Sequence, residues 1–247
     1  MAVNKKINSY VIIDFETGGL ANFSKDKDKR KLPNSKVVPI TEIALLAVEG
    51  YDLTELFRYD SFVKPYDEDL EYQQGAVEVT GITKAKVEKD GIEIKQLAKD
   101  LHQAFKEADV NKAWWARPIV VCHNASFDIP FLQSIQTYVP SFNLSKLVAG
   151  DTDTHGNFFP SYIDTMFQSK MLWGSAVMDN NDENFQLVSC CERAGIDLVD
   201  GHRAMNDVVA TTDLLRHIIS RTRAEGGSEK ISLNKEAADT YRVDFQL

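Results

Sequence analysis

The chain has 247 residues, enough for one sizeable core and short for two. Its composition, 43% hydrophobic and 26% charged, is that of a globular protein, and no apolar run approaches the ~18 residues of a membrane-spanning helix. A net charge of −9 and a pI of about 5.1 exclude a protein that coats nucleic acid by bulk electrostatics.

Met1 to Ser9 is polar, and the apolar stretch Tyr10 to Ile13 is too short for the core of a signal peptide. The sequence therefore predicts a cytoplasmic protein with no membrane partner. Tyr10 to Ile13 reads instead as a buried strand leading into Asp14, broken by Gly18-Gly19. Ala21 to Pro39 reads as a long loop. In it Lys25, Lys27, Lys29, Arg30, Lys31 and Lys36 face only Asp26 and Asp28, which suits either a solvated excursion or a phosphate contact. Ile40 to Val48 and Leu56 to Val63 read as strands that complete an antiparallel meander. Ile94, Leu97, Ala98, Leu101 and Phe105 describe one face of a helix. Ile119 to Cys122 is again a buried strand, followed by a helix carrying Phe131, Leu132, Ile135 and Tyr138. Ser145 to Pro160 reads as a loop, Ser161 to Asp164 as a short strand with a helix from Thr165, and Phe185 to Ala194 as a helix stopped by Gly195. The last helix runs from Ala204 to Arg221, with Val208, Thr211, Leu215, Ile218 and Ile219 on one side. This order predicts a mixed sheet flanked by helices in one domain, residues 1–223, with loops at about 21–39 and 145–160 and a polar tail at 224–247. Cys122, Cys190 and Cys191 form neither a disulfide framework nor a zinc spacing, and are expected as inert thiols of a reducing compartment.

Asp14 and Glu16 lie two apart on a strand, so both point to one face. Two carboxylates beside a buried run repel each other and resist desolvation, a cost that a divalent cation removes. Such cations would also let an acidic chain act on phosphates. Asp128 follows a second apolar strand, where a plain helix N-cap is the competing explanation. His202 and Asp207 frame the start of the last helix. Both inside it, they would stand about 140° apart; with His202 in the loop after Gly201, they can share a site.

These residues sit in recognisable motifs. Ile13-Asp14-Phe15-Glu16-Thr17-Gly18-Gly19-Leu20 resembles the first exonuclease motif of the DnaQ-like family. His123-Asn124-Ala125-Ser126-Phe127-Asp128 resembles the second, and His202-Arg203-Ala204-Met205-Asn206-Asp207 the third. Order and rough spacing match over about residues 8–220, in the histidine subclass of the DEDD superfamily. The resemblance implies an α/β, RNase H-like fold with a mixed five-stranded sheet, three antiparallel strands then parallel ones. It implies 3′→5′ exonuclease activity with two divalent ions, Mg²⁺ or Mn²⁺, and release of nucleoside 5′-monophosphates. Asp14, Glu16, Asp128 and Asp207 would hold the metals, and His202 would act as general base. Phe15, Thr17, Gly18, Gly19 and Leu20 would meet the terminal nucleotide: Thr17 donating to the sugar, Phe15 or Leu20 packing on the base, the glycines admitting a close backbone approach. Many relatives carry a second threonine where this chain has Gly18. Asn124 and Phe127 would orient the second motif, His123 would support the strand end, and Asp164 would cap a helix. Trp114-Trp115 are expected to pack in the core or a loop rather than stack on a base. The partner is the 3′ end of a nucleic acid, single-stranded DNA favoured, with a DNA polymerase or another replication or repair protein as a second candidate. An exoribonuclease of oligoribonuclease or tRNA-trimming type, and an inactive 3′-end-binding module, are the alternatives.

Overall fold

A computed structural model describes residues 9–50, 52–110, 112, 116–174, 182–198 and 201–225. Trp114, Trp115 and the tail ending in Asp244-Phe245-Gln246-Leu247 lie outside the described residues. The opening strand β1 spans Tyr10–Thr17, longer than its apolar run, so Asp14 and Glu16 are strand residues. Strands β2 (Ile40–Val48) and β3 (Glu55–Phe62) pair antiparallel in sequence, as expected. Two short helices not anticipated follow, α1 (Gln74–Thr80) and α2 (Lys84–Asp90). Neither carries a sustained apolar stripe: α1 buries none of its residues and α2 only Val87, so a periodicity search has nothing to find.

The helix α3 (Ile94–Ala108) buries Leu97, Leu101 and Phe105, the expected face. Strand β4 (Ile119–Cys122) then runs parallel to β1, and α4 (Ala125–Tyr138) follows it. The expected loop at 145–160 is instead mostly a small hairpin of β5 (Gly150–Thr152) and β6 (Phe158–Pro160). Strand β7 (Tyr162–Asp164) pairs parallel with β4. Three helices finish the described chain: α5 (Thr165–Trp173), α6 (Leu187–Ala194) and α7 (Ala204–Glu225), which runs past the expected start of the tail.

The main sheet has the order β3-β2-β1-β4-β7, antiparallel at one edge and parallel at the other. Alternation along β1 divides its side chains. Val11, Ile13 and Phe15 join the core formed with α3 and α4, while Ile12 faces Val208 and Leu215 of α7. Asp14 and Glu16 continue the Ile12 face, and Glu42 on β2 continues the face of Ala44 and Leu46. The acidic residues thus collect between the sheet and α7, at the carboxyl ends of the parallel strands β1 and β4. Open α/β sheets place ligands there. Among the described residues no helix is long and apolar enough to cross a membrane. The three cysteines are free and buried.

Candidate active site

Asp14 and Glu16 keep their position because β1 is tied on both edges, to β2 and to β4. Asp128 is not a cap: Asn124, with a left-handed φ of 72°, occupies the N-cap of α4, and Asp128 lies inside the first turn. Its carboxylate is 2% exposed and accepts the Phe15 N–H at 3.3 Å, fastening α4 to β1. His202 lies in the bend before α7 with a left-handed φ of 69°. Its N–H donates to Asp207 Oδ2 at 3.1 Å, so the loop folds back over the first turn of the helix. The loop geometry therefore resolves the 140° difficulty.

Among the described residues Glu16, His202 and Asp207 offer ligand atoms within 4.8 Å of one another. Asp14 and Asp128 lie outside that closest set but inside the same field of charge. Burial, then Asp128, Glu16, Asp207 and Glu42, hold Asp14 well above the usual carboxylate range. Burial likewise raises Asp128. Burial with Asp207 and Glu42 pushes Glu16 up to about 7, against the lowering pull of Arg203. Asp207 is raised by burial, in part offset by His202. A group of carboxylates that disfavour their own ionisation, with oxygen and imidazole donors converging, fits a hard divalent cation.

Glu42 escaped the sequence reading. It is 2% exposed, pairs in register opposite Glu16, and accepts from Arg203 Nη2 at 2.9 Å and from the Ala204 N–H at 3.3 Å. A lone acid in the otherwise apolar run of β2, and an arginine beside His202, were the available signals. Glu42 pins the start of α7 to the sheet, and with it His202 and Asp207. Asp164 performs the expected capping twice. It accepts the N–H groups of Met166 and Phe167 in α5, and those of Asn124 and Ala125 at the start of α4. His123 contacts Thr165 Oγ1 and the Phe185 carbonyl, each at 2.9 Å, and burial lowers its pKa, as suits a neutral structural ring.

Several residues expected at the nucleotide have partners within the chain. The Phe15 ring is 3% exposed and packs in the core against Phe131, with centroids 6.2 Å apart, so it offers no face to a base. The Thr17 hydroxyl donates to the Gly19 carbonyl at 3.0 Å and so braces the turn after Glu16. A Cβ on Gly18 would come within 2.7 Å of Pro39 Cδ, and one on Gly19, whose φ is 144°, within 2.2 Å of Gln73 Oε1. The close approach these glycines permit is to the chain's own segments. Phe127 packs on Phe131 at 5.2 Å, while Asn124 accepts from Ser126 Oγ at 2.7 Å, so both support the α4 entry. Leu20 and Gly19 do line an open groove beside the site.

A family model described as Exonuclease matches residues 11–215. The DNA polymerase III PolC-type of Oceanobacillus iheyensis is 25% identical over 232 residues, which cover 94% of this chain and 13% of that polymerase. Ribonuclease T of Shewanella baltica is 24% identical over 239 residues, covering 93% of this chain and 90% of that protein. The crystal structure of E. coli Exonuclease I in complex with a dT13 oligonucleotide has a TM-score of 0.61 and 19% identity, over 89% of this chain and 42% of that one. At that identity the likeness speaks for the fold, and the chain spans only a small part of the polymerases it matches.

Proposed function

The chain belongs to the DnaQ-like exonuclease family, and from that we propose that it removes nucleotides one at a time from the 3′ end of a nucleic acid. The observation that carries the reading is the convergence of Glu16, His202 and Asp207 within 4.8 Å, backed by Asp14 and Asp128 with raised pKa values. Bound Mg²⁺ or Mn²⁺, held by Asp14, Glu16, Asp128 and Asp207, would supply charge neutralisation at the phosphate and acidify the attacking water. His202, exposed at the mouth of the site, takes the proton of that water. A bond forms from the water oxygen to phosphorus, the bond from phosphorus to the upstream 3′ oxygen breaks, and that oxygen ends protonated. The products are a nucleoside 5′-monophosphate and a strand one residue shorter. Glu42 and Arg203 hold the His202 loop in register.

DNA is the favoured substrate, supported by the polymerase relatives. RNA is the second reading, favoured by the match to nearly the full length of Ribonuclease T. The match to a segment of PolC-type polymerases makes a polymerase, or another replication or repair protein, a candidate partner. Chromatography of the products from DNA and RNA of equal sequence tests the reading. Nucleoside 5′-monophosphates, released faster from DNA, are expected; nucleoside 3′-monophosphates or internal fragments would contradict it.

A further inference from the structure

Past the last turn of α4, a cleft of about 440 Å³ opens against α3. Asp128 sits in the first turn of the same helix, and the residues from there to Tyr138 set the cleft about 15 Å away. No member of the candidate active site lines it. Buried Ala98, Val139 and Phe142 give it an apolar interior. One wall is α3, which presents Lys95, Lys99 and His102. The two lysines are exposed and stand about 6 Å apart along the helix. Like charges at that spacing repel each other. Among the described residues neither has an acidic partner. The nearest acids in sequence are engaged elsewhere: Glu93 pairs with Lys64 at 3.3 Å, and Asp100 accepts from Tyr59 Oη at 3.0 Å and from Gln96 Nε2 at 2.7 Å. On a chain of net charge −9, two uncompensated ammonium groups over an apolar interior are a local exception. The opposite wall is the end of α4 and the turn after it. Val139 N–H donates to the Ile135 carbonyl at 2.8 Å, but Pro140 has no N–H to return to Gln136. The last carbonyls of a helix need donors from outside it.

An occupant that satisfies both walls brings anions for the lysines, N–H groups for the carbonyls and an apolar group for the interior. A phosphate has no N–H, and the negative end of the α4 dipole disfavours it. An extended peptide has all three. Acids at alternate positions of such a peptide lie about 6.6 Å apart on one side, close to the lysine spacing. The side chain between them turns the other way, toward Val139 and Phe142. We infer that this cleft docks an extended segment of a partner protein in which acidic residues alternate with apolar ones. Docked there, the partner leaves the carboxylate site open. The inference goes beyond the exonuclease reading and does not depend on it.

The test is fluorescence anisotropy on the full chain, with a labelled peptide of alternating aspartate and leucine blocked at both ends. Lys95→Glu/Lys99→Glu should weaken binding about tenfold or more, with Tm unchanged because both side chains are exposed. Peptides with asparagine for aspartate, or serine for leucine, should each bind about tenfold more weakly to the wild-type protein. Lys25→Glu/Lys27→Glu reverses the same charge in the basic loop and should bind the peptide as the wild type does. Equal loss in the two double variants, or no binding by the wild type, would overturn the docking site. So would displacement of the peptide by inorganic phosphate, or by an oligonucleotide in EDTA, since either would make the cleft a general anion site. A dimer in sedimentation that Lys95→Glu/Lys99→Glu splits would assign the cleft to a second copy and overturn the partner.

Discussion

Arg203 and Glu42 join the only partly exposed and the deeply buried sides of the site. The Glu42 carboxylate is 2% exposed, whereas the Arg203 side chain is 46% exposed, so the guanidinium reaches inward from solvent to meet it. Arg203→Ala leaves a buried acid without its cation, for an expected loss of about 1–3 kcal/mol and a fall in kcat of about 10–100-fold. The double variant Arg203→Ala/Glu42→Gln should regain part of the stability, since the stranded charge is gone; thermal melts of both variants check this. His202 stands close enough to Glu16 and Asp207 to be either ligand or base. As the base, His202→Ala should lower kcat by about 10²–10⁴-fold while Mn²⁺ affinity, read by titration calorimetry, stays within a few-fold. A parallel collapse of Mn²⁺ affinity would make the ring a ligand instead. Asp14, Glu16, Asp128, His202 and Asp207 were legible in the sequence because each sits at a fixed offset in a motif. Glu42 was not, since an acid in a strand acquires meaning only through what stands across from it.

At the scale of elements, the entry to α4 and the entry to α5 are both held by Asp164, through four backbone N–H groups. Asp164→Ala should therefore cost more than one ordinary cap, about 2 kcal/mol, and should also loosen Asp128. Denaturant melts paired with activity would show both effects; a melt unchanged by the substitution would contradict the shared cap. The strands β1, β2 and β4 and the helices α3 and α7 were readable because their apolar positions follow a clear period over a long enough run. The helices α1 and α2 were not, being seven residues each and nearly unburied. The β5–β6 hairpin reads as loop in the sequence because its strands are three residues long and mostly exposed. Of those segments, α1 forms one wall of the groove lined by Thr17, Gly19 and Leu20.

For the whole molecule, the concentrated acidic charge couples stability to pH and to cations. Glu16 is pushed up to about 7 from an ordinary 4.5, and Asp14, Asp128 and Asp207 move the same way. The folded state therefore keeps protons that the unfolded chain has already released. That contribution to stability is full below the ordinary carboxylate range and is lost as pH rises through the raised values. Without metal, Tm should fall between about pH 5 and pH 8; saturating Mg²⁺ or Mn²⁺ should raise it much more at the upper end, where protons no longer compete. Scanning fluorimetry reads this directly, and equal cation effects at both pH values would contradict it. The mixed sheet was legible from the order of strands and helices, whereas the gathering of α7 against β1 and β2 depends on side chains that no local pattern announces. The most direct test of the whole account is a gel assay on 5′-labelled single-stranded DNA, with Mg²⁺, Mn²⁺ or EDTA and with Asp14→Ala alongside. The account predicts a ladder shortening from the 3′ end that needs metal and disappears in the variant. Intact strand under every metal, or the same ladder from Asp14→Ala, would contradict it.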